Sequence, residues 1–225
     1  ITGASSGMGL LYANYLAEAG CDLVIVSNQE KELEDVADRL RNDYGVKVIA
    51  RYQDLSQEDA AQQLFDFCKN QNAVIDILIN NAGMFFFHEL DDEYHTKMEL
   101  MLNLHIMTPT HMCRIFGNEM KKRGYGFIIL VSSMAARLPY PGITIYSATK
   151  AYLKSFGKSF YYEMRDYGVG VTTVCPGAIA TPLYKINPRL LKLGVNLGVV
   201  GTPQWLVKKA LKGMFRKKMI VAPGA

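Results

Sequence analysis

TGASSGMG, residues 2–9, follows Ile1 and opens a stretch with helical periodicity over about residues 8–19. Gly3, Gly7 and Gly9 let the chain turn tightly and let a pyrophosphate approach the backbone. The helix start near Met8 adds free N–H groups and a positive dipole end. An ordinary strand-to-helix turn needs only one or two glycines. The pattern T-G-x-x-x-G-x-G between a strand and a helix therefore reads as dinucleotide binding, with Gly3, Ser5, Ser6, Gly7, Met8 and Gly9 as contacts.

Outward from this loop, β-branched runs alternate with amphipathic ones. The runs Leu23–Val26, Val46–Ala50, Val74–Ile79, Phe127–Val131, Val169–Val174 and Met219–Val221 read as strands, and Ile1 as the remnant of an earlier one. Helical periodicity fills roughly residues 8–19, 30–43, 57–71, 92–121, 146–167 and 203–216. Strand and helix in alternation give an α/β domain, a doubly wound parallel sheet of about seven strands with helices on both faces. Residues 1–225 form one domain with no linker or low-complexity stretch. Thr108-Pro109 falls inside the fourth helical segment, where proline removes a backbone hydrogen bond and should bend it just after Asn103.

Ligands of such sheets bind beyond the carboxyl ends of the strands. The segments there are TGASSGMG, SNQ, QDLS, NNAG, SSMAA and PGAIAT, all small, polar or glycine-rich. Ser27 and Asn28 stand where an acidic residue would hold a ribose 2′-hydroxyl and repel a 2′-phosphate. Neither is charged, which favours NADP(H) over NAD(H), although the arginine that usually marks NADP is also missing. Asp54, beside Leu55, could accept from an adenine amino group or cap the helix starting near Gln57. Asn80-Asn81-Ala82-Gly83 is either a turn at a strand end or, through Asn80, Ala82 and Gly83, part of the cofactor wall.

Tyr146 and Lys150 lie four apart in a helical stretch, so phenol and ammonium share a face. A nearby cation lowers a phenol's pKa toward the range of neutral-pH proton exchange. The same spacing also describes any amphipathic helix. Ser133, 13 residues upstream of Tyr146, is the second of a serine pair.

The chain has 225 residues, 49% of them hydrophobic, enough for one substantial core. It begins without methionine inside its first strand and reads as a fragment of a longer product. No apolar run reaches the ~18 residues of a membrane span, so it reads as soluble. Cys21, Cys68, Cys113 and Cys175 are scattered, as in a reducing cytoplasm, and no metal pattern joins them to His88, His95, His105 or His111, which read as surface or core histidines. The net charge of +4 is dispersed. The clusters Lys121–Arg123 and Arg216–Lys218 read as solvated helix ends, and nucleic acid is not suggested.

TGASSGMG, NNAG, Ser133, YSATK (146–150) and Pro176-Gly177 occur in the order and spacing of the short-chain dehydrogenase/reductase family, which the chain resembles over nearly its whole length. The resemblance implies a Rossmann-type fold and NAD(P)-dependent interconversion of a carbonyl and an alcohol. It implies Tyr146 as general acid/base and Lys150 as the group that lowers its pKa and holds the nicotinamide ribose. Ser133 would orient the substrate carbonyl and Asn103 anchor a water linking Lys150 to solvent. Pro176, Gly177, Ile179 and Thr181 would position the nicotinamide. Residues 183–201 correspond to the family's mobile lid. An apolar substrate wall is read from Phe85, Tyr140, Leu183 and Tyr184, compatible with a 3-oxoacyl thioester, steroid or xenobiotic ketone. Homodimers or homotetramers are common in the family.

Three other readings compete. A nucleotide-sugar epimerase or dehydratase shares Tyr-x-x-x-Lys, but its loop typically reads T-G-x-x-G-x-x-G and it needs a sugar-binding region. A catalytically silent NADP-binding sensor would tolerate loss of a catalytic residue, and all four are present. A structural module would need neither the phosphate loop nor the Tyr/Lys pair.

Overall fold

The computed structural model describes residues 1–138, 140–177 and 201–223. Its central strand β4, Gly126–Val131, is buried at every position. A run apolar on both faces calls for helices on both sides, and its residues divide accordingly. Phe127, Ile129 and Val131 join a core with α1 (Gly7–Glu18), α2 (Glu30–Tyr44) and α7 (Pro203–Phe215); Ile128 and Leu130 join a second with α3 (Ala60–Asn70), α5 (Thr108–Arg123) and α6 (Thr144–Arg165). The period-2 alternation of β4 thus builds two cores from one strand.

All named strand pairs are parallel: β1 (Leu23–Ser27) with β2 (Val48–Tyr52), and β3 (Ile77–Asn80), β4, β5 (Val169–Val174) and β6 (Ile220–Val221) in that order. Residues 1–4 join the two groups. The Ala4 N–H donates to the Val26 carbonyl, the Val26 N–H to Ile1, and the Thr2 N–H to Ile79. The order across the molecule is therefore β2, β1, residues 1–4, β3, β4, β5, β6, with the switch in winding direction between residues 1–4 and β3. Among the described residues, no helix is long and apolar enough to cross a membrane.

Several boundaries differ from the sequence reading. β2 starts at Val48 rather than Val46, because Gly45 ends α2 in the left-handed region (φ 68°) and the Lys47 N–H is taken by Asp22 Oδ1, while the Lys47 carbonyl accepts from the Leu23 N–H. β3 starts at Ile77, after an exposed Val74. α3 starts at Ala60 rather than near Gln57.

The segment 92–121 is not one helix bent at Pro109. A short 3-10 turn (Asp92–Tyr94) leads into α4, His95–Leu102, and a π-helical turn, Asn103–Met107, leads into α5. Pro109 sits in the first turn of α5, and the irregularity lies upstream of it. In the π turn the Thr108 N–H reaches back five residues to the Asn103 carbonyl, which relieves the ladder where proline has no N–H to give. That turn aims Leu104 and His105 at the site described next.

Candidate active site

One cavity of about 500 Å³ opens at the switch point. Its floor is the start of α1, where Ser6 provides no side-chain cap, so the first N–H groups of the helix face the cavity unshielded by a cap. Gly3 and Gly7 adopt φ of +65° and +56°, and a Cβ on Gly7 would meet nothing within 4 Å. Gly9 does not line the cavity. It lies behind the loop, where a Cβ would run into the Gly3 carbonyl. Its role is close packing of helix on loop.

Beside this floor stand Ser27, Asn28 and Gln29. Ser5 Oγ donates to Gln29 Oε1 at 2.7 Å and lies 2.9 Å from Ser27 Oγ, so these hydroxyls fasten the loop to the β1 exit. No carboxylate occupies Ser27–Gln29. Asp54 and Leu55 also line the cavity. The Asp54 carboxylate accepts from the Ser56 N–H, the Ser56 hydroxyl and Gln57 Nε2. It therefore holds a local turn and does not cap a helix, because α3 starts at Ala60 with Asp59 at its cap position. Although partial burial, the largest single influence, opposes ionisation, these hydrogen bonds together hold the carboxyl below its usual range.

Asn80 does not reach the cavity. It is buried, with Nδ2 3.6 Å from Cys113 Sγ, whereas Asn81, Ala82, Gly83 and Met84 line the space. The register is set from Thr2, whose hydroxyl accepts from the Asn81 and Ala82 N–H groups, both at 2.9 Å, while Asn81 Nδ2 donates to the Thr2 carbonyl. Asn103 is likewise absent from the cavity lining, and its neighbours Leu104 and His105 take part instead.

The opposite wall carries Ser133, Tyr146 and Lys150. Ser133 Oγ accepts from the Ala135 N–H at 3.1 Å, which leaves its own proton to donate. Ser132 is occupied: its hydroxyl donates to the Lys150 carbonyl at 2.6 Å. Lys150 Nζ donates to the Val131 carbonyl at 3.0 Å and lies 5.6 Å from the Tyr146 ring centre. Two bonds thus lace α6 to the end of β4. Burial draws the Lys150 ammonium down from 10.5 to about 8. Tyr146 is buried, with Phe85 edge-on at 5.0 Å between ring centres and His105 at 5.9 Å.

Pro176 and Gly177 line the cavity, and the Pro176 carbonyl accepts the Met134 N–H, which ties them to the Ser133 turn. Phe87 and Tyr140 are largely exposed, with ring centres 6.3 Å apart. Ile179, Thr181, Leu183, Tyr184 and the segment 183–200 lie outside the described residues. Sequence reasoning missed Gln29, Asn81 and His105. Gln29 and Asn81 carried a positional signal, as the last residue of the SNQ segment and the second asparagine of the NNAG turn, and His105 carried none.

A model of the short chain dehydrogenase family matches residues 1–189. The mouse very-long-chain 3-oxoacyl-CoA reductase is 31% identical over 194 residues, covering 83% of this chain and 61% of that enzyme, so the chain spans about three fifths of the relative's length. A short-chain dehydrogenase from Sphingobium yanoikuyae, solved with NADPH, is 31% identical at a TM-score of 0.87, covering 99% of this chain and 86% of that one. The bulky-bulky ketone specific alcohol dehydrogenase from Comamonas testosteroni is 28% identical at a TM-score of 0.87, covering 100% and 85%.

Proposed function

The chain belongs to the short-chain dehydrogenase family, and from that premise we propose that it interconverts a carbonyl and a secondary alcohol with a nicotinamide cofactor. The observation that carries this is a single cavity lined both by the glycine loop at the start of α1 and by Ser133, Tyr146 and Lys150. Gly3, Ser5, Ser6, Gly7 and Met8 would hold the pyrophosphate, Asp54 and Leu55 the adenine, and Ala82, Gly83, Pro176 and Gly177 the nicotinamide half. When bound, that cofactor supplies or accepts the hydride.

The protein's own work is protons and orientation. In the reducing direction the Tyr146 phenol gives its proton to the carbonyl oxygen as the carbon is reduced, and the Ser133 hydroxyl donates a hydrogen bond to the same oxygen. Lys150 supports the phenol's ionisation and would hold the ribose. Its charge depends on pH: the ammonium, at about 8 through burial, is lost as pH rises through that value. We expect kcat/KM to fall above about pH 8 with a one-proton slope, because kcat/KM reports free-enzyme ionisations. A profile flat to pH 10 would overturn this role.

The cofactor is proposed to be NADP(H) rather than NAD(H). Support comes from the uncharged Ser27–Gln29 corner, where no carboxylate repels a 2′-phosphate, and from the relative solved with NADPH. The substrate is proposed to be an apolar carbonyl compound. Phe85 on Tyr146 and the exposed pair Phe87 and Tyr140 favour such a ligand, as do relatives that act on 3-oxoacyl-CoA and bulky ketones. The test is turnover of 3-oxoacyl thioesters, steroid ketones and aryl ketones with NADPH and NADH side by side. NADPH oxidation by at least one class is expected, and tight cofactor binding without turnover of any would defeat the reading.

Four free thiols, three of them buried, support a reducing, cytoplasmic setting. A homodimer is proposed through the α5 and α6 faces. Support comes from the ladder Tyr152, Phe156 and Phe160, stacked at 5.8 and 5.4 Å on α6 and only partly covered, with the Tyr152 hydroxyl 3.0 Å from Thr110 Oγ1 of α5. Sedimentation at micromolar concentration should show a dimer or larger. A monomer alone would remove this part.

A further inference from the structure

His105 is 1% exposed and stands in the π turn before α5, within the cavity wall. A buried imidazole must satisfy both nitrogens. The Met84 N–H donates to Nε2 at 3.0 Å, and Nδ1 lies 3.0 Å from Thr149 Oγ1. The Thr149 hydroxyl spends its only proton on the Tyr146 carbonyl, at 2.8 Å, one turn back in α6. It can therefore only accept from His105, which fixes a neutral ring with its proton on Nδ1 and a bare Nε2. Burial, with Lys150 as a second and lesser cause, also holds the imidazolium well below its ordinary range.

We propose that His105 is a positioning residue: it clamps the chain leaving β3, at Met84, to the helix bearing the general acid/base, at Thr149, and so sets Phe85 against Tyr146. Phe85 follows Met84 directly and its ring meets Tyr146 edge-on, while His105 touches the same phenol ring from another side. The clamp is local. Asn81 and Ala82 are held independently by Thr2, so the cofactor half of the loop does not depend on it. Gly83 is part of the fit, since a Cβ there would come within 3.1 Å of Nε2. What His105 governs is the carbonyl side, where a substrate must approach the phenol whose ring Phe85 braces. A misplacement of about 1 Å there is enough to cost rate.

This inference rests on the proposed oxidoreductase reading, and its test separates the two. His105→Leu fills similar space but leaves the Met84 N–H without an acceptor; His105→Gln places an amide oxygen near the position of Nε2. With a ketone that the wild-type protein reduces, His105→Leu is expected to lose roughly ten- to a hundredfold in kcat/KM, the scale of leaving a buried N–H unpaired. The Kd for NADPH should stay within about twofold, and His105→Gln should recover most of the loss at a comparable melting temperature. Wild-type kcat/KM in His105→Leu, or a His105→Gln variant as impaired as His105→Leu, would overturn the clamp. Should His105→Leu not fold, Thr149→Val decides: it frees the tautomer, and a several-fold loss in kcat/KM with unchanged NADPH binding is expected, wild-type values being the contrary result. If Tyr146→Phe is fully active, the reaction itself has been misassigned. If Tyr146→Phe is dead while these variants behave as wild type, only the clamp fails.

Discussion

Tyr146→Phe is expected to lower turnover by at least about two orders of magnitude while cofactor binding and stability persist, the usual scale for removing a positioned acid/base. The separation of effects follows from the packing. The ring of Tyr146 is what meets Phe85 at 5.0 Å and His105 at 5.9 Å, and phenylalanine keeps that ring. The glycine loop that would hold the pyrophosphate lies across the cavity and is fastened by Ser5, Ser27 and Gln29, none of which the substitution touches. The measurements are NADPH affinity by fluorescence titration and single-turnover reduction of a ketone from the panel. Near-normal turnover would sink the assignment of the phenol, and weakened NADPH binding with normal chemistry would recast Tyr146 as a structural residue.

Gly9→Ala carries the second large effect, on binding and stability together. A Cβ at Gly9 would collide with the Gly3 carbonyl and approach Asn81 Nδ2 to 2.7 Å. Neither neighbour can yield cheaply, since one is backbone and the other is anchored on Thr2. The start of α1 must withdraw, taking the N–H groups of its first turn with it. Overpacking of this kind costs roughly 3 kcal/mol, and in a chain of this size that lowers Tm by about 6–12 °C. NADPH affinity should fall at least about tenfold, because the helix N-terminus no longer meets the phosphates. Gly7→Ala is the comparison: its φ of +56° costs only about 1–2 kcal/mol for a side chain, and its Cβ meets nothing within 4 Å. A Gly9→Ala protein that melts within 2 °C of wild type and binds NADPH equally well would refute this account.

Much of the architecture is visible in the sequence because it is local. Gly3, Gly7 and Gly9 declare a strand-to-helix turn, the β-branched runs declare buried parallel strands, and Tyr146 and Lys150 are four apart on one helix whatever surrounds them. What escapes is set by contacts distant in the chain. Asn80 and Asn81 look equivalent in NNAG, and only the hydroxyl of Thr2, about eighty positions earlier, decides which of them faces the cavity. Pro109 announces a disturbance but not its form, since the lost hydrogen bond is relieved by a π turn upstream rather than by a bend. His105 has no periodic or motif signal at all. Its partners, Met84 and Thr149, are brought together by the sheet, and a lone histidine in an apolar stretch reads as core until they are known.

β1 and β2 form one panel of the sheet and β3 to β6 another, and residues 1–4 run between them, bonded on one side to Val26 and on the other to Ile79, Asn81 and Ala82. The cavity lies directly over this join, with Ser27 to Gln29 on one panel and Asn81 to Met84 on the other. A dinucleotide lying across it touches both panels at once, so its binding free energy becomes cohesion between them. By mass action, ligand at a hundred times its Kd adds about 2.7 kcal/mol to the folded state. The molecule would then be least robust when empty, and a cell's supply of cofactor would help set how long each copy survives.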